Sequence, residues 1–221
     1  MTPLDTVLIL CLLVALPGHN LWRSLTEANR PPETQIARYW RGTLTAVVLT
    51  SMLAVAWAGS ARPLASLGLD TPIAKPGLIG LGIAAILVLA LLVMTALTRP
   101  GGESRAPVSG SPMPETPAEW RLFLVSMPVI AIAWELLYRG YLVWAIAPSL
   151  GPVAAVVLPA LAYGVAHGYR GRAQFVGSIV SALLFTLGFV LTRSLWWLIM
   201  IHIALPLFGA FAQRRISAAA R

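Results

Sequence analysis

The chain has 221 residues, 58% of them hydrophobic and only 11% charged, a balance that no soluble core of this size requires. It reads as a polytopic, all-α membrane protein. Its net charge of +8, which in a soluble domain would point to nucleic acid, lies mainly between apolar runs, where it sets topology and meets anionic headgroups; no nucleic-acid partner is expected.

The N-terminus, Met1 to Asp5, lacks the basic region of a cleavable signal, so the first apolar run is expected to be a retained span, about Leu4 to Trp22. Cys11 within it is the only cysteine, which excludes an internal disulfide and a cysteine metal cluster. The polar segment Arg23 to Arg41, with Pro31-Pro32 in its middle, reads as an exposed loop with an amphipathic, surface-lying portion. A second span covers about Gly42 to Ala58 and a third about Leu78 to Leu97, separated by a loop with three prolines.

The stretch 99–117, dense in Gly, Pro, Ser and Glu, reads as a mobile linker. It divides an N-terminal three-span region, 1–98, from a C-terminal four-span unit, 118–213, which is followed by a basic tail, 214–221. Thr116, Pro117 and Glu119 form a helix-start signature, a capping box with proline at the first helical position. Run unbroken to Ala147, this helix would be about 46 Å long, more than the ~30 Å hydrocarbon core, so it projects, tilts or bends near Gly140. Further spans follow at about Pro152 to His167, Phe175 to Leu191 and Leu195 to Phe211, making seven in all.

With the N-terminus outside, only Arg62, Lys75 and Arg193 fall outside, while the other loop arginines fall inside. The expected location is the cell (inner) membrane, with a cytoplasmic C-terminus. There is no inverted repeat of the kind transporters carry, although a buried carboxylate and histidine could form a proton relay.

Chemistry concentrates in the C-terminal half. Glu135 is the only carboxylate after Glu119, and Arg139 lies one helical turn further on, inside the apolar run from Leu122 to Ala147. Ionisable groups in a bilayer are costly, so this pair is either a reactive centre or a structural salt bridge pinning helices together. His167 ends the fifth span and His202 lies inside the seventh. A Glu and two His on three helices can position a water, with one group as base and another facing an oxyanion, or equally can ligate zinc. Distances along the helices put Glu135 and His167 at similar depth, roughly 20 and 22 Å from the outer ends, and His202 shallower at roughly 11 Å.

Glu135-Leu-Leu-Tyr-Arg139-Gly140, Tyr163-Gly-Val-Ala-His167-Gly and His202, in this order, resemble the CPBP family of intramembrane proteases, which includes the type II CAAX prenyl endopeptidases. That family's motifs are EExxxR, FxxxH and HxxxN or HxxxD, and the resemblance spans about Glu119 to Phe211. It implies an all-helical fold with a conical cavity and hydrolysis of a peptide bond in a membrane-anchored peptide or protein. Carried over, His167 orients the water, His202 stabilises the oxyanion, and Glu135 pairs with Arg139.

Two positions depart from the pattern. Trp134 stands where the first Glu is expected, and Pro206 stands four residues after His202, where Asn or Asp is expected. Trp offers only an N–H, and Pro offers neither a polar side chain nor an N–H. Two readings follow. Either Glu135 takes over as base, a local bulge swinging it inward, or the chain is a catalytically silent, immunity-like or scaffolding member that binds a membrane partner. The loss of a carboxylate at Trp134 weighs against zinc.

Overall fold

The structure, a computed structural model, describes residues 1–29, 32–97 and 113–219. Most of the linker expected at 99–117 therefore lies outside the described residues, as do Arg30, Arg99, Arg105 and Arg221. Among the described residues all regular structure is helical: α1 (Pro3–Leu25), α2 (Gln35–Ala58), α3 (Lys75–Leu97), α4 (Pro117–Trp134), α5 (Leu142–Ala166), α6 (Arg172–Thr192) and α7 (Trp196–Ala219). α1 contains a π turn at Cys11–Ala15, and a second π segment, Glu135–Tyr141, joins α4 to α5.

Side-chain caps set the helix starts. Thr116 and Glu119 form the expected capping box, with Pro117 at the first helical position. Thr2 and Asp5 do the same for α1. At α2 the structure corrects the sequence reading. Thr34 accepts a hydrogen bond from the Ala37 amide and starts the helix at Gln35, so Arg38 and Arg41 lie on its first turns, not in an exposed loop.

Among the described residues six helical runs are long and apolar enough to cross a membrane, against the seven spans expected. The difference lies in Pro117–Ala166, a 50-residue run about 75 Å long if straight, more than twice the ~30 Å hydrocarbon core. It is not straight. Gly151 breaks it with φ 79° and ψ 173°, a left-handed φ that only glycine adopts without strain, and the chain folds back there. The rings of Tyr138 and Tyr163, on either side of that break, lie 5.0 Å apart. The helix expected to end at Ala147 thus continues through Pro148, because a proline that near a helix end removes only one ladder bond.

N- and C-terminal parts share one core. Leu8 and Leu12 of α1 and Leu49, Leu53 and Trp57 of α2 pack with Leu137, Tyr138, Tyr141, Tyr163 and Phe189. Tyr138 donates to the Leu12 carbonyl at 3.1 Å, within the π turn of α1, where the regular helical ladder is disturbed. The outward surface carries apolar side chains such as Val55, Ile86 and Val125, as lipid requires.

The two ends of the bundle differ in charge. One gathers the end of α1, the start of α2 and the α5–α6 turn, together with a small cluster of Tyr39, Phe123 and Ala210 on which Met113 packs. The other holds Asp5 and Arg62, which pair at 2.7 Å, with Arg62 resting over the rings of Trp57 and Trp144.

Candidate active site

The π segment Glu135–Tyr141 creates the site's buried floor. A π turn widens the helix by one residue and re-aims its side chains, and here Glu135 and Arg139 both turn inward, 1% and 0% exposed. Arg139 Nη1 donates to Glu135 Oε1 at 3.3 Å. The Arg139 guanidinium also lies 4.0 Å from the centre of the Tyr163 ring, a cation–π contact that holds the arginine in place.

His202 of α7 closes on the same carboxylate oxygen, its Nδ1 2.7 Å from Glu135 Oε1. The sequence estimate of depth put His202 well short of Glu135; the two are in direct contact. The other ring nitrogen, Nε2, is 3.1 Å from the Tyr163 hydroxyl. A carboxylate can only accept, so Nδ1 carries the proton, and in the neutral ring Nε2 accepts from the phenol. In the doubly protonated ring Nε2–H donates to the phenolic oxygen, which frees the phenolic proton for another acceptor.

His167 joins this network indirectly. Its Nδ1 is 2.9 Å from the backbone carbonyl of Tyr163, one turn back, and because a carbonyl only accepts, Nδ1 is the protonated nitrogen of the neutral ring. Nε2 is left as the basic nitrogen. The His167 ring packs edge-on against the Tyr163 ring, centres 4.6 Å apart, and lines a cavity of about 780 Å³ at the charged end of the bundle. Asn20 of α1 donates to the Ala166 carbonyl at 2.8 Å and ties α1 to this corner.

α5 and α6 approach closely at the site because residue 164 has no side chain. A Cβ on Gly164 would lie 2.8 Å from the Ile179 Cα. The two departures from the family pattern are also visible. Trp134 packs against Tyr138, ring centres 6.0 Å apart, and Pro206 inside α7 has no N–H to bond the His202 carbonyl one turn back.

Of the sequence-predicted residues, Glu135 contacts both Arg139 and His202, while His167 is linked to them through Tyr163. Tyr163, which the sequence motif presents only as the residue one turn before His167, is the link between them. Among the described residues no group of three His, Cys, Asp or Glu side chains is placed to hold a metal ion. Both His202 nitrogens are engaged by Glu135 and Tyr163, which leaves His167 Nε2 and Glu135 Oε2 as the free donors of the set, fewer than the three protein ligands a zinc site uses. Glu135 Oε2 and the Nε and Nη2 of Arg139 are buried without a hydrogen-bond partner, and these atoms can hold a polar guest.

These features define a multi-pass helical membrane protein with an ionic, hydrogen-bonded network inside its helical bundle. Residues 116–208, which contain every residue of that network, match the Rce1-like family, described as type II CAAX prenyl endopeptidase Rce1-like, and bear out the resemblance read from the motifs. No curated protein and no solved structure matches the chain.

Proposed function

We propose that the chain is an intramembrane endopeptidase that hydrolyses a peptide bond of a membrane-associated protein or peptide. The observation that carries this reading is the network Glu135–His202–Tyr163 beside His167 at a cavity mouth, within the segment that matches a protease family. His167 Nε2 takes a proton from the attacking water as the water oxygen bonds the peptide carbonyl carbon. The proton then passes to the departing amine as the C–N bond breaks. His202, doubly protonated and backed by Glu135, donates through Nε2 to the Tyr163 hydroxyl, whose own proton is then free to stabilise the oxyanion, and Arg139 holds Glu135 in place.

The catalytic unit is residues 118–213, and the arginine-rich end of the bundle faces the cytoplasm of the cell (inner) membrane. The asymmetry between that end and the one holding Arg62, Lys75 and Arg193 supports this orientation.

A second reading has its own support. Glu135 Oε1 is engaged by both Arg139 and His202, and Trp134 and Pro206 supply neither base nor amide, as in a silent, immunity-like scaffold that binds a membrane partner. Purified wild-type protein and Trp134→Glu, each in liposomes with a panel of membrane-tethered peptides, separate the two. Cleavage by wild type supports the protease. Cleavage by Trp134→Glu alone means the fold is intact and the base was lost, and overturns it.

A further inference from the structure

The cavity of about 780 Å³ at the charged end is more than the approach to His167. It opens between the end of α1, the start of α2 and the α5–α6 turn. Its lining includes Arg23, Arg38, Arg41 and Arg170 against Glu27 and Glu33, a net of two positive charges. The carboxylates do not neutralise these arginines evenly. Glu33 is shared, its Oε2 taken by Arg23 at 3.1 Å and its Oε1 by Arg41. Among the described residues the one ion pair of Arg38 is a 3.6 Å contact to Glu27, whose side chain is 62% exposed, and Glu33 attracts it only from a longer distance. Arg170, three residues beyond His167, has no ion-pair partner among the described residues. Two guanidinium groups therefore reach the cavity with weak or no compensation, and Arg23 and Arg41 are held in place on Glu33.

The depth of the cavity identifies what such a site meets. It lies where α1 and α5 end and α2 and α6 begin, at the boundary of the apolar spans. Trp22 and Trp40, beside Arg23 and Arg41, are 57% and 59% exposed at the same level. Exposed tryptophans at span ends mark the headgroup layer of a bilayer. The ligand that reaches this layer at high local concentration and carries negative charge is a lipid phosphate. The volume is on the order of 25 water volumes at ≈30 Å³ each, room for a hydrated headgroup.

We propose that this cavity binds the phosphate headgroup of an anionic membrane lipid, with Arg38 and Arg170 as its principal charge partners. This does not rest on the protease reading, since binding needs no hydrolysis. A headgroup seated there lies at the mouth that His167 lines.

The test is native mass spectrometry of the full chain in neutral detergent, titrated with phosphatidylglycerol or phosphatidylcholine. Wild type retains phosphatidylglycerol in preference to phosphatidylcholine. Arg38→Gln and Arg170→Gln each weaken that binding about fivefold, as expected for roughly 1 kcal/mol per arginine near a charged lipid surface. Arg170→Lys retains most of it, which separates lost charge from misfolding. Arg172→Gln, a nearby arginine that does not line the cavity, leaves it unchanged. Equal retention of the two lipids, or an equal loss in Arg172→Gln, overturns the site. Saturable binding of inorganic phosphate with the same arginine dependence and no lipid preference assigns the cavity to a soluble anion and overturns the lipid.

Discussion

His202 Nδ1 lies 2.7 Å from Glu135 Oε1, although the two residues are 67 positions apart and on different helices. That contact ties α7 to the π segment and fixes which His202 nitrogen points to Tyr163. It also changes what Glu135 does: the carboxylate is a hub holding an arginine and a histidine, and its remaining oxygen, Oε2, is the one without a partner.

The Tyr163 hydroxyl is the group this arrangement adds to the family pattern. Tyr163→Phe keeps the ring against His167 and Arg139 and removes the hydroxyl that bonds His202. It is expected to cost about 1 kcal/mol in unfolding measurements and to alter the pH profile of cleavage. An unaltered profile would mean that the hydroxyl takes no part in the chemistry.

Gly164 sets the spacing of α5 and α6. Gly164→Ala brings a Cβ within 2.8 Å of the Ile179 Cα, which is backbone and cannot swing away. Overpacking of this kind costs about 1–3 kcal/mol, so the thermal midpoint in detergent should fall. An unchanged midpoint would mean that the helices separate freely there.

At the opposite end, Arg62 makes two hydrogen bonds to the buried Asp5, to which Tyr141 also donates. Removing one member of a buried ion pair leaves the other uncompensated, at about 3–5 kcal/mol. Arg62→Ala should destabilise by that order. Adding Asp5→Asn should recover part of the loss, measured as a double-mutant cycle in thermal unfolding. No recovery would show that stacking on Trp57 and Trp144, not charge, is what Arg62 supplies.

Glu33, between α1 and α2, gives a pH dependence. Burial pushes its carboxyl up, but Arg41, Arg23 and Arg38 outweigh burial and hold it below its ordinary value. A lowered folded-state pKa stabilises the fold above the unfolded value, about 4.3, and this contribution is lost as pH falls through the folded value. Hydrogen exchange should therefore show the α1–α2 connection loosening on acidification below about pH 4. Glu33→Gln should be looser at neutral pH and nearly insensitive to acid. Identical acid responses would remove Glu33 from this role.

The sequence made the ionic centre legible because charged side chains are so rare in the apolar runs that Glu135, Arg139, His167 and His202 stand out individually. The π segment was foreseen only as a general way for Glu135 to turn inward, since no residue pattern marks a π turn. The fold-back was legible as a gap between a helix ending at Ala147 and a span starting at about Pro152, but the break falls at Gly151 because only a glycine backbone accepts the required φ without strain. Thr34 has Ala37, not Glu or Gln, three residues on, so no capping-box signal marks the start of α2 in the sequence. The arginines of the charged cavity read as topology signals, because their grouping depends on α1, α2 and the α5–α6 turn meeting in space. Tyr163 was hidden by its type.

The measurement closest to the central claim is cleavage of a membrane-tethered peptide by wild type, Glu135→Gln and His167→Ala in liposomes, with helicity and elution confirming that each variant is folded. The account predicts cleavage by wild type and a fall of about 10²- to 10⁴-fold in His167→Ala, the range for losing a general base, with a large loss in Glu135→Gln as His202 loses its anchor. Cleavage undiminished in folded His167→Ala, or none by wild type on any membrane-tethered peptide, would contradict it.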